Sequence, residues 1–264
     1  MNYIGKRIRL SRIFRSDNRT VIIAVDHGRR YGAIKGLENF ADKIEKLVKA
    51  DIDALMMTPS MIEKIYENIS GKVSLIARID GTGGIYSPDE IDDRLISSVK
   101  RAVCLGADAV SVMVYPGSER ENILWEKLAI VSEEAFEYGI PVLAEAIPKP
   151  PGFQDKYTKN ALTYSARIAV ELGADIVKIP YTGDIKSFEE VVNVVPAPIV
   201  VLGGPKKGNI EDFLKTIWEA VKAGAKGVAI GRNVFQYENP TKMANILSLI
   251  VHKGKNYREI ISEL

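Results

Sequence analysis

Leu172-Gly173-Ala174-Asp175-Ile176-Val177-Lys178-Ile179-Pro180-Tyr181 sets the pattern of the whole chain. A glycine closes a helix in a left-handed cap and a short turn follows. The β-branched apolar run after it reads as a buried strand, ended by Pro180 and Gly183. Related phrases stand at Leu105-Gly106-Ala107-Asp108 and Ala223-Gly224-Ala225-Lys226, each ahead of another apolar run. Recurrence of this kind signals repeated units of helix, turn and strand. In this copy the strand also carries a lysine. A strand buried on both faces should not hold an ammonium, because desolvation costs several kcal/mol unless the charge is paired or neutralised. An uncharged amine is the nucleophile that forms a Schiff base with a carbonyl. Alternatively, Lys178 lies at the strand end and snorkels to water, or pairs with a carboxylate.

Outward from this stretch, strand signals fall at 21–25, 54–58, 73–79, 109–114, 141–147, 174–181, 199–202 and 227–230. Helical periodicity separates them. It covers 36–50, 60–69 with Ser60 as N-cap, 87–105 opened by Pro88 and two acids, 121–138, 158–172, 188–194, 210–223 and 241–251. Eight strands alternating with helices predict an α/β fold, a (β/α)8 TIM barrel in a single domain over 1–264. Residues 1–20 form a capping segment with basic residues on one face, and 257–264 a C-terminal helix across the outside. A doubly wound open sheet fits less well, since no G-x-G-x-x-G turn follows the first strand.

Lys and Arg number 36 against 34 Asp and Glu, a net charge of +2. That balance gives no electrostatic case for nucleic acid or a membrane surface. No apolar run reaches the roughly 18 residues of a membrane span. The first ten residues are too charged for a signal-peptide core, so a cytoplasmic location is expected. The single cysteine, Cys104, excludes an intrachain disulfide. Two distant histidines, His27 and His252, leave only carboxylates for a metal, so neither metal nor cofactor is expected. His252, in the closing helix, reads as structural or exposed.

In a barrel of this kind the active site lies at the C-terminal ends of the strands. Those ends carry Asp26, His27, Asp80, Tyr115, Glu145, Lys178, Tyr181, Gly203-Gly204 and Gly231-Arg232. So many polar groups on strand tips need a shared cavity. The glycines after strands seven and eight let backbone N–H groups approach an anion, and Lys206 and Arg232 add positive charge beside them. This predicts a phosphate site, with His27 either joining it or bonding the strand end. Schiff-base chemistry also needs a proton shuttle near the lysine. Glu145, inside the apolar strand next to the lysine strand, and Asp26 are the first candidates. Asp80, Tyr115 and Tyr181 are further ones.

Three segments carry a family resemblance: 5–14, Val21-Ile22-Ile23-Ala24-Val25-Asp26-His27-Gly28, and Gly32-Ala33-Ile34-Lys35-Gly36-Leu37. Together with Val177-Lys178-Ile179, Gly203-Gly204-Pro205-Lys206 and Gly231-Arg232-Asn233-Val234-Phe235-Gln236, they resemble the archaeal-type class I fructose-bisphosphate aldolases (DhnA-type). They are also similar to the related 2-amino-3,7-dideoxy-threo-hept-6-ulosonate synthases. The resemblance spans nearly the whole chain. It implies that Lys178 forms the Schiff base, Asp26 assists proton transfer, and the glycine loops with Arg232 bind substrate phosphate. It implies a metal-free aldolase or a related synthase, transaldolase or acyl-transfer enzyme acting on a sugar phosphate. A barrel that only binds a sugar phosphate is the non-catalytic alternative. Assembly as a homo-oligomer is also implied. Such enzymes carry a tyrosine at the tip of strand five, where this chain has Glu145-Ala146-Ile147-Pro148. Glu145 lies two residues below Ile147 on the same strand face, in position to take that role. Tyr115 and Tyr181 are the other substitutes.

Overall fold

The structure, a computed structural model, describes residues 3–204 and 209–261. The first half runs α1 (Tyr3–Ile13), β1 (Thr20–Ala24), α2 (Gly28–Tyr31), α3 (Phe40–Leu47), β2 (Ala54–Met57), α4 (Pro59–Lys64), α5 (Tyr66–Ile69), β3 (Ser74–Arg78), α6 (Val99–Cys104) and β4 (Ala109–Val114). It continues with α7 (Glu121–Tyr138), β5 (Val142–Ala146), α8 (Lys159–Glu171), β6 (Ile176–Ile179) and α9 (Ile185–Val194). Then come β7 (Ile199–Leu202), α10 (Ile210–Lys222), β8 (Gly227–Ile230), α11 (Arg232–Phe235), α12 (Pro240–Lys253) and α13 (Tyr257–Ile261). The strands close in sequence order into one parallel barrel, β8 pairing back onto β1 with Ile22 opposite Ala229. This is a (β/α)8 TIM barrel.

Period-two alternation divides the core in two. Ile22, Ala24, Ala54, Met56, Ile76, Ala109, Leu143, Ile176, Val200 and Ala229 fill the barrel interior, and Leu10, Ile13 and Phe14 close it from below. The intervening strand residues face outward and pack against the helices in a second, larger cluster. Among the described residues no helix is long and apolar enough to cross a membrane.

Two expected helices take other forms. Between β3 and β4 the chain does not become helical at Ser87-Pro88. Its backbone bonds return to the end of β3: Gly81 N donates to Arg94 O at 2.9 Å and Ile96 N to Ile79 O at 2.8 Å. Helix α6 starts only at Val99, where Ser98 Oγ caps Arg101 N. The acids after Pro88 serve loop contacts instead, Asp89 pairing with Arg120 at 2.7 Å. The 60–69 helix begins one residue early, with Thr58 as N-cap and Pro59 first inside. It breaks at Ile65 into α4 and α5.

The basic face of α1 has a specific use. An aspartate precedes β2, β4 and β6, and each accepts a backbone N–H from the strand before it. Asp53 Oδ2 takes Val21 N at 2.6 Å, Asp108 Oδ2 takes Leu75 N at 3.1 Å, and Asp175 Oδ2 takes Val142 N at 2.9 Å. The same carboxylates meet cations from α1 and the turn after it: Arg15 on Asp53, Arg12 on Asp108 at 3.0 Å and Lys6 on Asp175 at 3.0 Å. His252 of α12 is buried between Asp17 and Asp53, at 2.8 and 3.0 Å, so its role is structural. The repeated aspartate thus ties strand pairs together and fastens α1 over the barrel floor. Asp108→Ala strands the Leu75 N–H and should cost about 1–3 kcal/mol. Arg12→Ala should cost less than about 1 kcal/mol, since the Arg12 side chain is 60% exposed. Denaturant midpoints of the two variants check this ordering.

Candidate active site

The C-terminal mouth of the barrel gathers most of the polar strand tips. Glu145 on β5 and Lys178 on β6 are register partners, and alternation turns both inward above Leu143 and Ile176. Lys178 is 5% exposed, and its Nζ lies 3.0 Å from Glu145 Oε2. Burial without a partner would be prohibitive for either group, and the contact satisfies both.

A third inward side chain organises the mouth. Arg78, at the end of β3, is 1% exposed. Its guanidinium meets Asp26 and Glu145, each at 3.3 Å, lies 3.7 Å from Asp93, and bonds Asp80 most closely. Asp80 is in turn held by Lys127 of α7 and by Met113 N, and burial lowers the Lys127 ammonium against the pull of Asp80. Asp93 comes from the irregular loop after β3 and is fully buried. It accepts from Arg29 at 3.2 Å and from the Tyr115 hydroxyl at 3.0 Å. Arg78 and Asp93 were not among the expected residues. Arg78 carries the same signal as Lys178, a charge at an inward position of an apolar strand. Asp93 carries none, because its loop has no periodicity.

The charges set the protonation states. Burial alone would raise the Asp26 carboxyl, but Arg78, with His27, Arg29 and Lys178, holds it at about 2, below the ordinary 3.8. Arg78 is raised further above its usual range by Asp80 and the other carboxylates despite burial. Burial pushes His27 below 6.5, with Asp26 opposing and Lys178 and Arg232 assisting, so the imidazole is neutral at pH 7.

On the rim, His27 Nδ1 sits 3.5 Å from Asp26, and its ring meets Phe235 edge-on at 5.1 Å. Gly231 lies against it: a Cβ there would stand 2.7 Å from Ala24 O and collide with the imidazole. Arg232 leans over the Tyr31 ring at 6.0 Å, and its Nε is buried without a hydrogen-bond partner among the described residues. Gly203 and Gly204 end β7 on the same side. Asn233 Nδ2 donates to Gly203 O at 3.0 Å, and Gly204 takes the left-handed φ of 64°. Lys206 lies outside the described residues.

Three expected candidates are engaged elsewhere or held by neighbours. Tyr181 faces outward, because it is three residues beyond Lys178 and so on the other strand face. It packs on Phe188 at 5.1 Å, and its hydroxyl points to Glu219 of α10 at 3.5 Å. Asp80 is sealed beneath Arg78. Tyr115 stays at the mouth, but its hydroxyl is held between Arg30 and Asp93, and burial with Asp93 drives it well above the ordinary phenol range.

Two clefts of about 770 and 1040 Å³ flank α1 at the opposite end. Arg12 and Arg15, on their walls, are already paired with aspartates. Charge and burial therefore make the mouth the candidate site. Because Asp26 binds its proton more weakly in the folded state, its pairing stabilises the fold above about pH 4 and is lost as the pH falls through about 2. Asp26→Asn should flatten the loss of melting temperature between about pH 4 and pH 2, read by calorimetry against the unsubstituted protein.

The same architecture recurs in known proteins. The chain is 40% identical to 2-amino-3,7-dideoxy-D-threo-hept-6-ulosonate synthase 1 of Archaeoglobus fulgidus, over 98% of this chain and 95% of that protein. It is 36% identical to the class 1 fructose-bisphosphate aldolase of Thermoproteus tenax, over 94% of this chain and 95% of that one. A solved structure from a study of reaction intermediates of the Schiff-base-forming fructose-1,6-bisphosphate aldolase superposes with a TM-score of 0.86 at 34% identity. It covers 93% of this chain and 99% of that one. The sequence profile of DeoC/LacD family aldolases matches residues 20–237, from the start of β1 to just beyond α11. Fold, extent and sequence agree that the chain belongs to the DeoC/LacD family of aldolases.

Proposed function

We propose that this one-domain barrel is a class I aldolase, a carbon–carbon lyase acting on a ketose phosphate such as fructose 1,6-bisphosphate. The observation that carries the reading is Lys178, buried in the mouth with Glu145 at 3.0 Å. In its uncharged form the Lys178 amine adds to the ketone carbon. The former carbonyl oxygen takes a proton through Glu145 and leaves as water, which gives an iminium. The electrons of the C3–C4 bond then flow into the iminium while Glu145 or Asp26 takes the C4 hydroxyl proton, and the aldehyde departs. Protonation of the enamine at C3 and hydrolysis release the ketone and restore Lys178. The iminium is the electron sink, so the reading needs no metal or cofactor.

The backbone around Gly203, Gly204 and Gly231, with Arg232, His27 and Lys206, would hold the substrate phosphate. The orphaned Arg232 Nε and the left-handed Gly204 support that assignment. A cytoplasmic sugar-phosphate enzyme, glycolytic in role and assembled as a homo-oligomer, fits this reading.

One observation keeps a second reaction in view. Ile147 stands where the resemblance expects tyrosine, and the synthase relative is 40% identical. A lysine-dependent synthase, transaldolase or acyl-transfer enzyme on a phosphosugar would use the same centre with a different partner.

Borohydride reduction after incubation with dihydroxyacetone phosphate or fructose 1,6-bisphosphate tests the proposal. A mass gain mapped to Lys178, absent from a folded Lys178→Met variant, is the expected result. Folded protein that gives no adduct with either ligand would shift the reading toward another carbonyl substrate or a binding barrel. Glu145→Gln should lower turnover about 100-fold or more. Full turnover in that variant would remove Glu145 from the mechanism.

A further inference from the structure

Glu145 Oε2 serves two cations at once, Lys178 Nζ at 3.0 Å and Arg78 Nη1 at 3.3 Å. We propose that Arg78 is a positioning residue for the reaction: it shares Glu145 and Asp26 with Lys178, which weakens the hold of those carboxylates on the lysine's proton. The proposal rests on the reading of Lys178 as the nucleophile.

The two cations differ in kind. A guanidinium stays charged across the whole working pH range, whereas an ammonium gives up its proton. Two carboxylates border Lys178, Glu145 from β5 in direct contact and Asp26 from the end of β1 through space. Arg78 contacts both, at 3.3 Å each. Among the described residues, Lys178 also shares a field with His27 after β1, which is not an anion. On β7 the register partner of Lys178 is Val200. With Arg78 removed, two carboxylates would face one lysine and hold its proton. With Arg78 present, much of their field is already spent on a permanent cation.

The arrangement also fixes Arg78 in place. Asp80 and Asp93 border other edges of the guanidinium, and Lys127 anchors Asp80 from α7. Arg78 therefore cannot swing out of the mouth without stranding buried carboxylates. A purely structural Arg78 would have the same contacts, so a stability measurement alone does not distinguish the two roles.

The distinguishing experiment is the pH dependence of adduct formation on Lys178, with dihydroxyacetone phosphate and cyanoborohydride read by intact mass. Arg78→Gln should move the acid limb to higher pH by about one unit or more, with the rate recovering near the alkaline end. Arg78→Lys, which keeps the charge, should track the unsubstituted protein. Asp80→Asn frees Arg78 to lean harder on Glu145, so its limb should move to lower pH. Competition by inorganic phosphate should be unaltered in all three. An Arg78→Gln limb that coincides with that of the unsubstituted protein overturns the proposal, whatever happens to its melting temperature. So does an Arg78→Lys limb displaced as far as the glutamine variant. Should Arg78→Gln fail to fold, Asp80→Asn decides: a limb unmoved or moved upward is the overturning result. Unsubstituted protein that forms no adduct at any pH would instead refute Lys178 as the nucleophile, a separate outcome.

Discussion

A guanidinium with 1% exposure, set among four carboxylates, is the constraint on which the mouth of this barrel depends. Arg78 joins the tips of β1, β3 and β5 and the loop after β3 through Asp26, Asp80, Glu145 and Asp93. Such a network is weak evidence for net stability, because desolvation offsets much of its Coulomb gain. Its contribution is geometric. Removing the shared guanidinium would strand buried carboxylates, at a cost of about 3–5 kcal/mol, so Arg78 holds these tips together. Lys178 and Glu145 inherit that rigidity, and a site with fixed charges has little reorganisation left to do when a substrate binds.

The two ends of the barrel divide the labour. At the floor, carboxylates bind backbone N–H groups and cations of α1, and all three strand-start aspartates are satisfied in this way. At the mouth, the charges bind one another, and some polar atoms are left over: among the described residues His27 Nδ1, Arg29 Nε and Arg232 Nε are buried without hydrogen-bond partners. Buried polar atoms without partners are costly, and Thr20 Oγ1 and Trp218 Nε1 stand the same way elsewhere, so it is the clustering at the mouth that sets those three apart. The same residue types therefore mean opposite things at opposite ends, and the strand direction of a parallel barrel decides which.

Much of this was legible in the chain, for reasons that differ by residue. All eight strands were readable, because buried parallel strands are apolar runs and glycine caps mark where the helices before them stop. Lys178 and Glu145 stood out as charges inside such runs. Arg78 gave the same signal in Val73–Ile79 but lies next to Asp80-Gly81, where a charge reads as the start of a surface loop. Strand parity alone would have turned Tyr181 away from the site, since an odd offset from Lys178 changes the face. The Pro88 segment looked like a helix start because capping signals are local. What overrides them is Asp93, drawn into the mouth by Arg29, Tyr115 and Arg78, and no local pattern encodes a contact of that range.

The missing strand-five tyrosine then acquires a physical reading. Neither remaining tyrosine is free for proton transfer: Tyr181 faces the helices, and the Tyr115 hydroxyl is bound on both sides and pushed far above neutral pH. On the proposed reading, acid–base work at the mouth therefore falls to carboxylates. Glu145 sits two residues deeper than Ile147 and touches Lys178 directly. A carboxylate at that depth has a consequence a phenol would not have, because in its ionised form it sets a charge 3.0 Å from the lysine. A permanent countercharge beside it is then the natural complement, and Arg78 occupies that place.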